Sequence, residues 1–153
     1  MRAAMFVMTV VSAISASLAA AHASGGFSCE VEDARVRIVV ESGVTHGMGA
    51  PTFNFRGEAE IKAGAVGAEL RLTKFEETHR PQYWLGDGEL RLGLYRELEA
   101  DRPHGFVAVV IRAKLDDEGG AAGTYELKAF EVPPDGGDAK EFAATGPIAC
   151  FVE

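Results

Sequence analysis

Serine and cysteine, the residues that most often act as nucleophiles in hydrolases, are scarce in this sequence. After residue 23, serine occurs only as Ser24, Ser28 and Ser42, and no G-x-S-x-G turn is present. The two cysteines, Cys29 and Cys150, lack the C-x-x-C spacing of redox and zinc sites. The sequence therefore contains no pattern of nucleophilic catalysis, and we assign no catalytic residue from it.

Metal-binding patterns are also missing. No loop has the D-x-D-x-D-G type of sequence that binds calcium. Three histidines follow residue 23, each in a predicted loop and none with the local spacing of known zinc ligands: His46, His79 and His104. A zinc or copper site that combines them with Glu76, Glu77 or Asp101 is one interpretation, but loop histidines in contact with solvent are the commoner case. We expect no metal and no cofactor.

The only long apolar segment is the beginning of the chain. Arg2 precedes an apolar run, and small residues then lead to Ala21-His22-Ala23, which is the order of a secretory signal cleaved before Ser24. Serine and threonine residues interrupt the run, which argues against a membrane anchor. We therefore predict a cleaved signal peptide at 1–23. The rest, 24–153, is expected to be a single soluble domain, periplasmic or secreted, that does not insert into a membrane.

Acidic residues outnumber basic ones. The chain has 15 basic and 23 acidic residues, and removal of the signal peptide takes away Arg2 alone, which leaves 14 basic residues and a formal charge of −9. Such a charge repels nucleic acid and anionic membranes. It suits simple solubility or a cationic partner, and we expect no nucleic acid among the partners.

From Phe27 onward, apolar residues recur at every second position, which is the period of a β-strand. The clearest strand is predicted at 52–62, where inward and outward residues alternate as in an antiparallel sheet with one wet face. The residues predicted to face inward are Phe53, Phe55 and Ile61. Those predicted to face outward are Arg56, Glu58 and Glu60.

Three further segments refine the strand assignment. An alternation predicts another strand through Val66, Ala68, Leu70 and Leu72. Gly86-Asp87-Gly88 is typical of a hairpin turn, and Gly93 favours a strand over a helix after it. In the last strand, Gly146-Pro147 indicates a bulge or an edge position.

About eight strands separated by turns predict an all-β fold, either a single antiparallel β-barrel or a β-sandwich. In an exported chain, an isolated pair of cysteines is most simply a disulfide, so we predict a bridge between Cys29 and Cys150. The bridge places the first and last strands within about 7 Å of each other between Cα atoms. Chain ends that meet favour the barrel over the sandwich.

The segment before the hairpin turn carries the candidate binding residues. Tyr83 and Trp84 follow His79 and Arg80 in a predicted loop, and an exposed tryptophan and tyrosine beside an arginine are typical of binding hot spots. The commoner case for such a tryptophan is that it belongs to the core, where Trp84 would fill one end of the barrel. The residues assigned to partner or ligand binding are Trp84, Tyr83, Arg80, His79, His46 and His104.

These observations favour an exported, non-enzymatic envelope protein of the bacterial type. It is expected to bind a protein partner or a small ligand through loops at one end of the β domain. The alternative is a small enzyme or metal-binding protein that uses the loop histidines and carboxylates, and a purely structural envelope role is the third interpretation. Convergence of the histidine loops distinguishes the second from the first, because a catalytic or metal site needs its groups close together.

Overall fold

The computed structural model describes residues 25–45, 47, 49–64, 66–99 and 101–153. The predicted signal peptide and its cleavage site lie outside these residues, as does His46. Within the described ranges, no helix is both long enough and apolar enough to cross a bilayer.

The described residues form nine antiparallel strands in a single sheet, together with one short helix and one 3₁₀ turn. The strands are β1 (Gly25–Glu32), β2 (Val36–Val44), β3 (Thr52–Ile61), β4 (Leu72–Glu76), β5 (Gln82–Gly86), β6 (Glu89–Glu97), β7 (Gly105–Leu115), β8 (Gly120–Glu131) and β9 (Lys140–Val152). Helix α1 (Ala68–Arg71) precedes β4, and the 3₁₀ turn (Glu77–His79) precedes β5. The order across the sheet is β4-β3-β2-β1-β9-β8-β7-β6-β5. The sheet curls into a half-barrel, which confirms the all-β prediction as one sheet and not as two stacked ones.

The concave side of the sheet holds the hydrophobic core. In β7, Val107, Val109 and Ile111 are completely buried, while the residues between them are partly exposed. Val40 of β2 and Leu94 of β6 both approach Gly57 of β3, from opposite parts of the curled sheet. Because buried hydrophobic side chains occupy this interior, binding surfaces are to be sought on the outer face and at the ends of the sheet.

β3 contains a bulge at Asn54, so the side chain of Phe53 before it faces the side of the sheet opposite to the predicted one. Across Asn54, β3 has one more residue than β2 between two register pairs, and Asn54 takes the left-handed conformation with φ of 53°. Phe55 and Ile61 are buried as predicted, but Phe53 is 37 % exposed and its ring covers Gly43 on the outer face. The prediction of an inward Phe53 is therefore wrong. The residues predicted to face outward are exposed or partly exposed: Arg56, Glu58 and Glu60.

The segment predicted as a strand through Val66 contains helix α1 and becomes a strand only at Leu72. Val66, just before α1, and Leu70, within it, are both buried. The backbone N–H of Gly67 donates to Oε1 of Glu131 at 2.6 Å and fixes the start of α1. Pairing with β3 begins only at Leu72. Apolar residues at 66 and 70 satisfy either period, so the alternation predicted the wrong element.

The first and last strands are joined side by side and covalently. Cys29 of β1 is the register partner of Cys150 of β9, with 4.0 Å between the Cα atoms, and the two form a disulfide. The predicted bridge is confirmed, and it is compatible with an oxidising compartment. β1 pairs with β9 only over Phe27–Glu30. Pro147 lies beyond that pairing, and since its register with β8 has no shift, it occupies an edge position and no bulge.

Candidate functional site

A hairpin between β5 and β6 fixes which side chains of β5 face outward. Asp87 and Gly88 have positive φ values of 53° and 72°, as a type I′ turn requires, and the turn closes at Gly86. Side chains alternate along a strand. Tyr83 therefore faces the interior and Trp84 faces outward.

Trp84 lies in this strand and not in the predicted loop. Its side chain is 51 % exposed, and the indole Nε1–H donates to the carbonyl oxygen of Gly86 at 3.3 Å. A tryptophan so exposed does not fill the end of a barrel, so the core interpretation of Trp84 is wrong. Tyr83, one residue earlier in β5, is half-buried on the inner side.

A row of exposed side chains continues from Trp84 across the outer face. The register places Trp84 beside Arg91 of β6, and Arg91 beside Arg112 of β7. These arginine side chains are 62 % and 66 % exposed, and each has an acidic neighbour: Glu89 accepts from Arg91 Nε at 2.8 Å, and Glu126 lies 3.6 Å from Arg112. Exposed ion pairs contribute only about 0–1 kcal/mol to stability, so both arginines can exchange these neighbours for a partner at little cost.

Two grooves flank Arg91 and Arg112. One has a volume of about 300 Å³ and runs beside Trp84 and Val110. The other has a volume of about 460 Å³ and runs beside Thr124. Apolar, aromatic and cationic groups thus alternate on one open surface. We call the following residues the Trp84 face: Gln82, Trp84, Arg91, Val110 and Arg112.

On the inner side of the sheet, Arg80 joins the start of β5 to β3. Its guanidinium carbon lies 4.8 Å from the ring centre of Tyr83 and 5.6 Å from that of Phe55. The same group donates to Thr52 Oγ1 at 2.7 Å and to the Glu77 carboxylate. Only 14 % of the Arg80 side chain is exposed. We call these five residues the Arg80 cluster, in which a cation is held between two rings and a carboxylate.

Two groups of the Arg80 cluster, Glu77 and Tyr83, have shifted pKa values. Burial raises the pKa of Glu77, but hydrogen bonds from Arg80 and Thr52 outweigh burial, so this pKa lies below 4.5. Burial raises the pKa of Tyr83 above 10.0, against the charge of Arg80. In the part of the chain that the structure describes, neither Arg80 Nε nor Tyr83 Oη has a hydrogen-bond partner. Neither pKa therefore moves toward neutrality, where a general acid or base is most effective.

The two described histidines have separate surroundings. His79 Nδ1 accepts from the backbone N–H of Glu76 at 3.0 Å, and its ring meets Phe75 edge-on. His104 packs against the rings of Phe106 and Phe130, with centroid distances of 6.0 and 5.7 Å. Among the described residues, no group of three or more histidine, cysteine or acidic side chains is placed to hold a metal ion. The structure therefore gives the described histidines different packing roles.

β5 divides the predicted binding residues between the two sides of the sheet. Arg80 and Tyr83 lie in contact, as their closeness in sequence suggested, whereas Trp84 points to the opposite side. Sequence reasoning did not include Arg91, although the Asp87-Gly88 turn pairs residues at equal distances on its two sides. That turn alone could have placed Arg91 beside Trp84. The place of Arg112 in this row depends on the pairing of β6 with β7, which no short sequence motif predicts.

Comparison of the chain with protein-family models, with curated proteins and with solved structures finds no match. An all-β sheet with a disulfide does not by itself imply an activity.

Proposed function

We propose that this chain is an exported, non-enzymatic envelope protein of the bacterial type that binds a protein partner through the Trp84 face. The observation that carries the proposal is the half-exposed Trp84, which stands beside Arg91 and Arg112 on the outer side of the sheet. Tryptophan and arginine are the residues most enriched in binding hot spots. A tryptophan held outward by a hairpin offers a large contact area at a small cost in conformational entropy.

The shape of the surface favours a protein over a small ligand. Small-molecule sites are concave and bury most of the ligand surface. The groove beside Trp84 and Val110 has about 300 Å³ and lies on the outside of a sheet whose concave side is filled by the core. A protein segment can cover such an open surface, and its contact with Trp84 removes apolar area from water.

The local charge favours an acidic and apolar segment of that partner. The net charge suggests a cationic partner, but at one place of this acidic protein the three cations Arg91, Arg112 and Lys114 outnumber the two nearby carboxylates, Glu89 and Glu126. Complementary charge steers association toward the patch that carries it. The acidic remainder of the surface repels the same partner elsewhere. The charges therefore favour one orientation of the partner as well as its binding.

Export is the second part of the proposal. The order of residues at 1–23 is that of a secretory signal, and the bridge between Cys29 and Cys150 is of the kind that persists in the periplasm or outside the cell. Together they support a location in the bacterial periplasm or beyond.

Capture from envelope extract with the mature chain tests the proposal. We expect wild type to retain a specific protein that Trp84→Ala loses, and binding of the two purified proteins to weaken by about 2 kcal/mol or more in calorimetry. Leu72→Ala is the matched control, because Leu72 is also 51 % exposed and lies in β4 at the other edge of the sheet. A partner that both variants retain equally would show that the Trp84 face is not the binding surface.

A further inference from the structure

β7 is apolar on both of its sides along part of its length. Its inward residues are buried, and three outward residues are also apolar and partly exposed: Phe106, Ala108 and Val110. We call these three residues the β7 stripe. Their neighbours on β8 are the charged residues expected on a wet outer face, since Ala108 stands beside Lys128 and Val110 beside Glu126. Contiguous apolar residues on the surface of a soluble protein are frequently an interaction site.

The β7 stripe connects two groups of aromatic side chains. At one end, Val110 lines the same groove as Trp84. At the other end, the Phe106 ring contacts those of Tyr95 and Phe130, at centroid distances of 5.5 and 5.9 Å. Tyr95 is 38 % exposed and Trp84 is 51 % exposed. The stripe therefore extends the Trp84 face along the strand and makes the combined surface long and narrow.

Backbone hydrogen bonding favours a helix over an extended segment on this surface. β7 pairs with β6 over 106–114 and with β8 over 105–115, so its own N–H and C=O groups are engaged within the sheet. An extended segment laid on the stripe would bury N–H and C=O groups without partners, whereas a helix satisfies these groups internally. From Phe106 to Arg112, β7 extends over about 20 Å, which is the length of about 13 helical residues.

The width of the stripe favours one helix over a second sheet. A sheet that packs face to face needs apolar residues on several neighbouring strands. Here the apolar outward residues of β7 are followed on β8 by Lys128 and Glu126, so the apolar area ends within one strand on that side. An amphipathic helix buries a single apolar side and leaves its flanks polar. A helix therefore fits a narrow apolar area with charges beside it.

We propose that an amphipathic helix of the protein partner lies along the β7 stripe, with acidic residues at the end that approaches Arg91 and Arg112. This inference rests on the proposed function, because it names the segment that the Trp84 face binds. The two arginines are register partners and lie at the Val110 end of the stripe. Cations placed at one end of an apolar stripe complement a helix that carries its acidic residues at one end.

A synthetic peptide tests the helix directly. The probe has about 20 residues, long enough to be helical in isolation, with leucine along one side and glutamate near one end of the other side. Trp84 is the single tryptophan of the chain, so a blue shift of its emission reports that the indole has left water. We expect this shift when the probe is added to the mature wild type. A probe of the same composition in shuffled order should give none. No shift with the first probe, or equal shifts with both, would overturn the proposal.

A lysine probe tests the predicted charge. It has lysine in place of each glutamate and should bind about tenfold more weakly at low salt, because Arg91 and Arg112 repel it. The net charge of the protein acts in the opposite direction, since the chain as a whole is acidic. The comparison therefore separates the local charge from the total charge. Equal or tighter binding of the lysine probe would contradict the assignment of an acidic helix.

Ala108→Glu tests the position of the helix. The sheet can accommodate this carboxylate, because Lys128 is the register partner of Ala108. A bound helix would bury that ion pair, so affinity for the glutamate probe should fall by about tenfold or more. Ala149→Glu is the matched control, since Ala149 is an exposed outward alanine of β9. Val110→Thr keeps a β-branched side chain and should weaken binding to a smaller extent. Equal affinity of the Ala108→Glu and Ala149→Glu variants would place the helix elsewhere and overturn the proposal.

Capture from envelope extract separates this inference from the proposed function. Trp84→Ala tests the Trp84 face as a whole, whereas Ala108→Glu tests the stripe. We expect both variants to lose the partner and Ala149→Glu to retain it. Loss in Trp84→Ala with retention in Ala108→Glu would leave the proposed function standing and overturn the helix. Retention in Trp84→Ala would overturn the proposed function itself.

Discussion

The hydroxyl of Tyr125 donates a 2.8 Å hydrogen bond to the carboxylate of Asp33, across the region where β1 and β9 no longer pair. The other carboxylate oxygen of Asp33 accepts from the backbone N–H groups of Arg35 and Val36, at 2.7 and 2.8 Å. One side chain thus shapes the turn between β1 and β2 and attaches it to β8. Burial and the bond to Asp33 raise the pKa of Tyr125 to about 12.

Tyr125→Phe should lower the free energy of unfolding by about 1–3 kcal/mol, because it removes a hydrogen bond to a charged acceptor from a buried group. Urea unfolding at neutral pH measures the change. Tyr95→Phe is the control: its hydroxyl also donates to a carboxylate, that of Glu97, but both groups are exposed. Equal effects of the two substitutions would mean that burial does not strengthen the bond between Tyr125 and Asp33.

Acid should weaken the fold partly through Asp33. The hydrogen bond from the N–H of Val36, then those from Tyr125 and Arg35, hold the pKa of Asp33 below its ordinary 3.8. A lowered pKa means that the folded state binds this proton less readily than the unfolded state, so the stabilisation is present above pH 3.8 and is lost as the pH falls through the folded pKa. Asp33→Asn should therefore be less stable than wild type at neutral pH, and the gap should narrow in acid. A gap independent of pH would refute this titration.

Arg80→Met should destabilise the fold more than Arg91→Met does. Arg80 is mostly buried between two rings and bonded to Glu77, whereas Arg91 forms an exposed pair with Glu89. We expect a loss of about 2 kcal/mol at Arg80 and about 0–1 kcal/mol at Arg91, measured by thermal and urea unfolding. Glu77→Gln in the Arg80→Met background should recover part of the loss, because it removes a carboxylate left without its cation. Equal losses at the two arginines would contradict this account of the Arg80 cluster.

Loss of the disulfide should cost up to about 5 kcal/mol, because the bridge restricts the unfolded chain across a long loop. The test compares urea unfolding of wild type with that of Cys29→Ser combined with Cys150→Ser. Both sulfur-bearing residues are buried, so reductant should act on wild type only after unfolding has exposed the bridge. A double variant as stable as wild type would show that the paired strands hold the ends without help.

The alternation of apolar and polar residues predicted most of the strands. It failed where one extra residue in a strand shifted its register. Phe55 and Ile61 are buried as their period predicted. Phe53 is not, because the bulge at Asn54 adds one residue, and asparagine is only weakly specific for the left-handed conformation. Val66 and Leu70 fit two periods at once, and the hydrogen bond from Gly67 to Glu131 joins the start of the helix to β8, a long-range contact that no local pattern shows.

The candidate site divides in the same way. The contact between Arg80 and Tyr83 follows from their closeness in sequence, and the bridge follows from the presence of just two cysteines. Counting residues back from the hairpin turn predicts that Trp84 faces outward. Its residue type predicts the opposite, because large hydrophobic side chains are usually buried. The position of Arg112 beside Arg91 depends on the register between β6 and β7, which patterns in a single sequence do not predict.

The bridge between Cys29 and Cys150 also determines how the protein responds to a pulling force. These residues are 121 positions apart and lie close to the two ends of the described domain, where Glu153 donates its backbone N–H to Gly26 at 2.9 Å. Tension applied to the ends therefore passes directly through one covalent bond. It bypasses the loop between the cysteines, and no strand from β2 to β8 can be unzipped by it. While the bridge is intact, a domain anchored at one end and loaded at the other can lengthen by only a few residues.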